Sequence, residues 1–268
     1  LHAARVLSGE VEDGAVIVDL RRLNAVRSLD DTHHVAVIEP GVTQGQLFDH
    51  LQSQNVAAVF NVTGSARDTS IVGNTLERGV GYFASRADDI LWLEVVLGDG
   101  RIVRTGYAHF EDARARDLYS HGLGPDLTGT FMQANFGIVT AIAFKLIPRA
   151  EDHMAMLAKI SDASRFADFI QALTKLRKSG IVQTAIHIGN QERTRSTIAP
   201  LLAAQLPSSD AAAQRAQITE MLDKEGFGPW SAVGGIFGSS AQLALARREI
   251  RAALKGVAQV TFLTDAKL

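Results

Sequence analysis

The sequence predicts an α+β fold in two domains, 1–150 and 151–268, on three observations. Short β-branched runs bounded by polar turns recur through the first half. Composition shifts near Pro148–Asp152, after which strand and helix patterns alternate. The 268 residues are 46% hydrophobic and 21% charged, enough apolar material for one large or two ordinary cores.

Residues 15–20 (AVIVDL) and 35–38 (VAVI) read as buried strands, with turns at Asn24-Ala25-Val26 and Asp30-Asp31 between them. Thr43 is placed to cap a helix running to about Asn55, with Leu47, Phe48 and Leu51 on one face. Ala57–Phe60 reads as a strand leading into a glycine-rich loop, and a short helix is expected over 74–79. Ile90–Leu97 and Arg101–Thr105 flank Gly98-Asp99-Gly100, the pattern of a β-hairpin. A long connection over 107–129 holds a candidate helix near 112–120, and Gly137–Ile147 is a strand stopped by Pro148. Beyond 150 the order is strand 154–160, helix 163–178, strand 181–189, and broken helix 191–225. Strand 231–237, helix 239–254 and strand 258–263 complete it. Asp162 and Ser239 are expected N-caps and Gly180 a C-cap, giving helices segregated to one face of a sheet.

Several function classes are disfavoured. A net charge of −2 with no long single-sign run offers no field for nucleic acid or an anionic membrane. The absence of cysteine rules out disulfides, thiolate metal sites and a cysteine nucleophile. No apolar run reaches the roughly 18 residues of a membrane span. The chain begins at Leu1 without a signal-peptide pattern, both ends read as cut, and the compartment stays open between cytoplasm and periplasm.

The segment Gly64–Tyr82 is the most informative. It holds four glycines with Ser65, Ser70 and Asn74 and few large apolar groups. Glycine lets backbone N–H groups approach a bulky anionic or planar ligand; the alternative is a surface loop with turn glycines. No G-x-G-x-x-G follows a strand, so the pattern is not that of a Rossmann unit.

Context favours the ligand. Pro40-Gly41-Val42-Thr43 follows a strand ending in Glu39, and Ser70-Ile71-Val72-Gly73-Asn74-Thr75-Leu76-Glu77-Arg78-Gly79-Val80-Gly81-Tyr82 follows a loop. Leu93–Gly100 with Arg104-Thr105-Gly106 forms the hairpin, and Phe131–Thr140 precedes the strand ending at Pro148. In this order the motifs resemble the PCMH-type FAD-binding domain of the vanillyl-alcohol oxidase / 4-cresol methylhydroxylase flavoprotein family, over about 14–150. The remainder resembles the first part of that family's α+β substrate cap domain. The resemblance implies that FAD is lined by three segments: Pro40, Gly41, Val42 and Thr43; Thr63, Gly64, Ser65, Thr69, Ser70, Gly73 and Asn74; and Gly137, Ile138 and Val139. It implies oxidation of a small phenolic or other alcohol by hydride transfer to flavin N5. The acceptor would be O2 or a cytochrome, and a homo-oligomer is compatible.

The departures are specific. The family's N-terminal phosphate loop has no counterpart in Leu1–Val6, and its C-terminal return, which carries the flavin-linking residue of covalent members, has none either. An internal piece of a longer flavoprotein, or a reduced relative, is therefore expected. A flavin-fold module unable to turn over by itself is the alternative function. Some family oxidases carry an acid shortly before the Ser-x-x-Gly-Asn motif; Asp68 is the nearest here and is the candidate catalytic residue, set against a turn carboxylate bonding backbone N–H groups. Phe83–Asp89 replaces the family's glycine-aspartate pair.

Other residues have ordinary readings. Adjacent His33 and His34 cannot both face one metal from a strand. His187 reads as a sheet histidine, with a substrate-facing role as the alternative. Glu77 and Arg78 are expected to pair with neighbours. Trp92 reads as core, while Tyr82 and Tyr107 suit sheet edges or the site. Gly234-Gly235 marks close packing or a bulge, and the arginines of 239–254 form a solvated face.

Overall fold

The computed structural model describes residues 18–206, 210–225 and 228–264. The chain divides into two compact units, Leu1–Arg149 and Ala150–Leu268.

The first unit is built on a five-stranded antiparallel sheet in the order β1-β2-β6-β4-β5. Its strands are β1 (Val26–Asp30), β2 (Val35–Ile38), β4 (Ile90–Leu97), β5 (Ile102–Arg104) and β6 (Gly137–Lys145). A separate two-stranded ladder joins β3 (Ala58–Val59) to β7 (Ile147–Pro148). Strand side chains alternate between faces, and both faces of this sheet are covered. Ala36, Ile38, Leu93, Val95, Ile142 and Phe144 point toward helices α1 (Gln44–Ser53) and α2 (Ile71–Leu76). Val35, Val37, Trp92, Ala141 and Ala143 make a second, smaller cluster with Leu91 and Ala108. That is why 35–38 and 90–93 read as unbroken apolar runs rather than alternating ones.

Residues 15–17 of the expected first strand lie outside the described residues, and 18–20 have no regular structure. The first described strand is instead VRSLD, expected as turn residues at both ends. Its register with β2 slips between Val26 and Ser28, and its polar character suits a sheet edge. Thr43 caps α1 in a full capping box with Gln46, and Leu47 and Leu51 are buried. Phe48 is exposed instead, under the Arg67 guanidinium. The second helix starts three residues earlier than expected. Ser70 caps it and Ile71 and Val72 go into the core, while Arg78, at φ 55°, ends the turn. Over 112–120 the backbone makes mainly three-residue turn bonds rather than a helix. Asp117 there accepts from Trp92 Nε1 at 2.7 Å, tying the segment to the sheet.

The second unit is a four-stranded antiparallel sheet, β11-β8-β10-β9. It comprises β8 (Asp152–Ile160), β9 (His187–Asn190), β10 (Trp230–Gly238) and β11 (Gln259–Leu263). Met154, Met156, Ala158 and Ile160 alternate inward along β8 and pack with α3 (Phe166–Lys178) and α6 (Ser240–Ala253). Asp162 caps a short 3-10 turn that runs into α3, Ser239 caps α6, and Gly180 (φ 75°) follows α3. The broken helix is α4 (Gln191–Gln205) and α5 (Ala211–Glu225). The expected strand 181–189 is a ladder only from His187, which is exposed. Before it, Gln183 and Thr184 bond to Gly235 and Phe237, and Gly234 lacks the Cβ that would strike Val182 at 2.7 Å.

Candidate cofactor site

The structure brings two of the three expected segments together. Thr43 and Ser70 form an antiparallel bridge, flanked by Ile71 N–H to Val42 O and Gln44 N–H to Thr69 O. Ser70 Oγ donates to Pro40 O at 2.7 Å and accepts from Gly73 N–H at 3.0 Å. One hydroxyl thus caps α2 and ties it to the Pro40–Thr43 edge. Gln44, overlooked in the sequence, closes the other side. Its Oε1 accepts from Thr63 N–H at 2.9 Å, and its Nε2 donates to Ser65 Oγ and Ala66 O. Gly45 N–H donates to Arg67 O at 2.7 Å, and the Thr63 and Ser65 hydroxyls bond each other.

The donors divide sharply between the segments. Gly41, Val42 and Thr43 spend their N–H groups on Leu23 O, Glu39 O and Gln46 Oε1. The Pro40–Thr43 edge therefore supports the loop rather than supplying donors. Among the described residues, the N–H groups of Gly64, Ala66, Asp68 and Ser70 have no protein acceptor, and 64–68 is exposed. The glycines divide in the same way. A Cβ on Gly41 would meet Arg21 O at 2.6 Å, and one on Gly137 would meet Val95 Cγ1 at 2.6 Å, so protein packing accounts for both. Gly64 has only Tyr82 Oη nearby, at 3.8 Å, and leaves room for a ligand, whereas a Cβ on Gly73 would meet its own cap, Ser70 Oγ, at 3.2 Å.

Gly137, Ile138 and Val139 pair with Leu97, Val96 and Val95 of β4. Val139 enters the core shared with Val42, Ile71 and Val72, while Ile138 is exposed. Asp68 is exposed and accepts no hydrogen bond among the described residues.

Behind the loop lies a polar cluster that the sequence does not announce. Arg86 is among the largest fully buried side chains, and Asn61 and Thr75 are buried beside the same turn. Asn61 Nδ2 donates to Asp89 Oδ2 at 3.0 Å and to Ala84 O, and its Oδ1 accepts from Phe83 N–H. Burial pulls the Arg86 guanidinium down to about 10 against the attraction of Asp89, and burial pushes the Asp89 carboxyl up. Among the described residues Glu77 has no ion-pair partner, against expectation, and its Oε2 is buried without a hydrogen bond. A cleft of about 270 Å³ beside His33, His34, Asp117 and Lys145 sits at the start of β2, the opposite end from Pro40–Thr43. Among the described residues no three His, Asp or Glu side chains could hold a metal ion, and no helix is long and apolar enough to cross a membrane.

A loop of unspent N–H donors, an unobstructed glycine at Gly64 and a buried cation behind them fit a ligand with anionic and planar parts. Residues 4–106 match a family described as an FAD binding domain. The chain is 29% identical to the flavoprotein subunit of 4-cresol dehydrogenase (hydroxylating) of Pseudomonas putida, over 87% of this chain and 45% of that protein. It is 31% identical to 1'-carboxy-chondrochloren decarboxylase of Chondromyces crocatus, over 90% and 45%. Among solved structures, p-cresol methylhydroxylase with substrate bound superposes at TM-score 0.81 and 28% identity, covering 93% of this chain and 49% of that one. The 4-ethylphenol oxidase of Gulosibacter chungangensis follows at 0.77 and 27%, covering 92% and 47%. The chain spans about half the length of the curated relatives it matches. It carries a PCMH-type FAD-binding domain related to that of the 4-cresol dehydrogenase flavoproteins, with FAD as the cofactor.

Proposed function

We propose that this chain carries the cofactor domain of an oxidoreductase acting on a small phenolic substrate. The observation that carries the reading is the Thr63–Asn74 loop, whose free donors sit on a support braced by Ser70 and Gln44. Likeness to 4-cresol dehydrogenase and 4-ethylphenol oxidase supports the phenolic class. FAD, when bound, supplies the chemistry of hydride acceptance at N5.

The residues of this chain have three tasks in that reading. Gly64, Ser65, Thr69, Ser70, Gly73 and Asn74 bind, through a thin backbone and small polar side chains. Pro40–Thr43 and the Gly137–Val139 end of β6 orient the loop from behind. Asp68 is the carboxylate the loop offers to accept a phenolic proton: it is exposed, and no described residue occupies its oxygens. The second unit, 150–268, is assigned to the substrate domain on the same likeness.

Titration with FAD followed by anaerobic addition of a 4-alkylphenol tests the reading. Uptake of yellow flavin that bleaches with the phenol supports it. Flavin that binds and keeps its colour makes the chain a binding module without turnover, and an Asp68→Asn variant that bleaches at the wild-type rate removes Asp68 from the chemistry. Two electron acceptors fit, dioxygen and a cytochrome; reoxidation in air-saturated buffer separates them.

A further inference from the structure

Arg86 is 1% exposed, yet no carboxylate lies within ion-pair distance of it among the described residues. Its backbone N–H donates to Gly79 O at 2.9 Å. Among the described residues its guanidinium has one acceptor, Asn74 Oδ1, at 3.5 Å from Nη1, the outer edge of hydrogen-bond range. Asp89 attracts it from farther away and is itself held by Asn61. A buried charge paired this weakly costs stability and calls for an explanation.

Asn74 gives one. Its amide lies against Gly79, where an added Cβ would fall 2.1 Å from Oδ1 and 2.7 Å from Nδ2. The pocket therefore admits the amide in few orientations. A guanidinium has five donors and no acceptor, so the atom facing Arg86 must be the oxygen. Nδ2 is then turned away, with no acceptor among the described residues, and unlike Glu77 Oε2 it is not sealed from solvent. Asn74 also directly follows Gly73, which is exposed.

We propose that Arg86 is a positioning residue for the cofactor: by holding Asn74 Oδ1, it obliges Asn74 to present both amide N–H groups to an acceptor atom of FAD. The inference rests on the assignment of FAD to this loop. It lies in the Phe83–Asp89 stretch that departs from the family pattern, so no motif match supplies it.

Asn74→Asp separates this role from a merely structural one. The new carboxylate gives Arg86 an ion-pair partner but removes both donors. The apoprotein should melt at or above the wild-type temperature, while the Kd for FAD rises about 10- to 100-fold. Arg86→Lys, which keeps a donor and the charge, should bind FAD within a few-fold of wild type, and Arg86→Met should match the Asn74→Asp loss. Asn74→Asp binding FAD within twofold of wild type overturns the proposal, as does a fall in melting temperature that parallels the loss of affinity. All three variants are read by FAD fluorescence and apoprotein melting, without turnover. A wild-type chain that takes up no FAD overturns the loop assignment together with this inference; wild-type uptake with an unimpaired Asn74→Asp overturns this inference alone.

Discussion

Ser70→Ala removes two hydrogen bonds with one oxygen. The Ser70 hydroxyl caps α2 through Gly73 N–H at 3.0 Å and donates to Pro40 O at 2.7 Å. Loss of an N-cap costs about 1 kcal/mol, within a range of about 0.5–2. Pro40 is buried, so its carbonyl loses a partner that water cannot readily replace, worth roughly another 1 kcal/mol. The sum is about 2 kcal/mol, which in a unit of this size lowers the melting temperature by roughly 4–8 °C. Because the same hydroxyl ties the loop to its support, FAD affinity should fall as well, by about tenfold or more. Differential scanning calorimetry of the apoprotein and fluorescence titration with FAD read the two effects. Ser70→Thr, which keeps the hydroxyl, should recover most of both. Loss of stability with FAD affinity unchanged would refute the reasoning, since it would mean that the bridge between Pro40–Thr43 and α2 does not shape the cofactor site.

The other predictions concern the same unit. Gln44→Ala leaves Thr63 N–H and Ala66 O without their partner beside a buried position, so urea denaturation should show a loss of about 2–3 kcal/mol together with weaker FAD binding. Gly79→Ala drives a methyl into the Asn74 amide, where the ideal Cβ comes within 2.1 Å of Oδ1, and should weaken FAD at least tenfold by the same titration. Glu94→Gln tests the sheet surface. Burial pushes the Glu94 carboxyl up, but hydrogen bonds from Arg27, Arg104 and Thr140 outweigh it and hold the carboxyl below the usual range. A depressed folded value means that its contribution is full above the ordinary glutamate range and is lost as pH falls through the depressed one. Both arginines are partly exposed, so the variant should lose about 1–2 kcal/mol at neutral pH. The gap from wild type should close on acidification, as denaturant titrations at a series of pH values will read.

What the sequence displays and what it hides follow from the reach of each interaction. The Thr43 capping box, the Ser239 cap and the inward alternation of β8 are local, and each is visible in the pattern. The hairpin Ile90–Arg104 is likewise announced by its turn residues. β1 is hidden because VRSLD is an edge strand whose support comes from long-range pairing: Arg27 reaches Glu94 across 67 residues of sequence. The start of α2 is hidden because Ile71 and Val72 are β-branched and read as strand or loop until Ser70 is seen capping them. The same limit governs the site. The loop residues are legible by composition, whereas Gln44 and Arg86 act through partners 12 to 22 residues away, and no local spacing points to them. The glycines show the opposite limit. Gly41 and Gly137 look like openings for a ligand, but both are explained by the approach of neighbouring protein atoms.

Everything proposed for this site depends on the loop from Thr63 to Asn74 holding FAD. The most direct test is equilibrium titration of the 268-residue chain with FAD beside the double variant Gly73→Val, Asn74→Ala, with circular dichroism confirming that both are folded. A wild type that binds stoichiometrically and a folded variant that fails to bind is the predicted result. A folded variant that takes up FAD with the affinity of the wild type would contradict the claim.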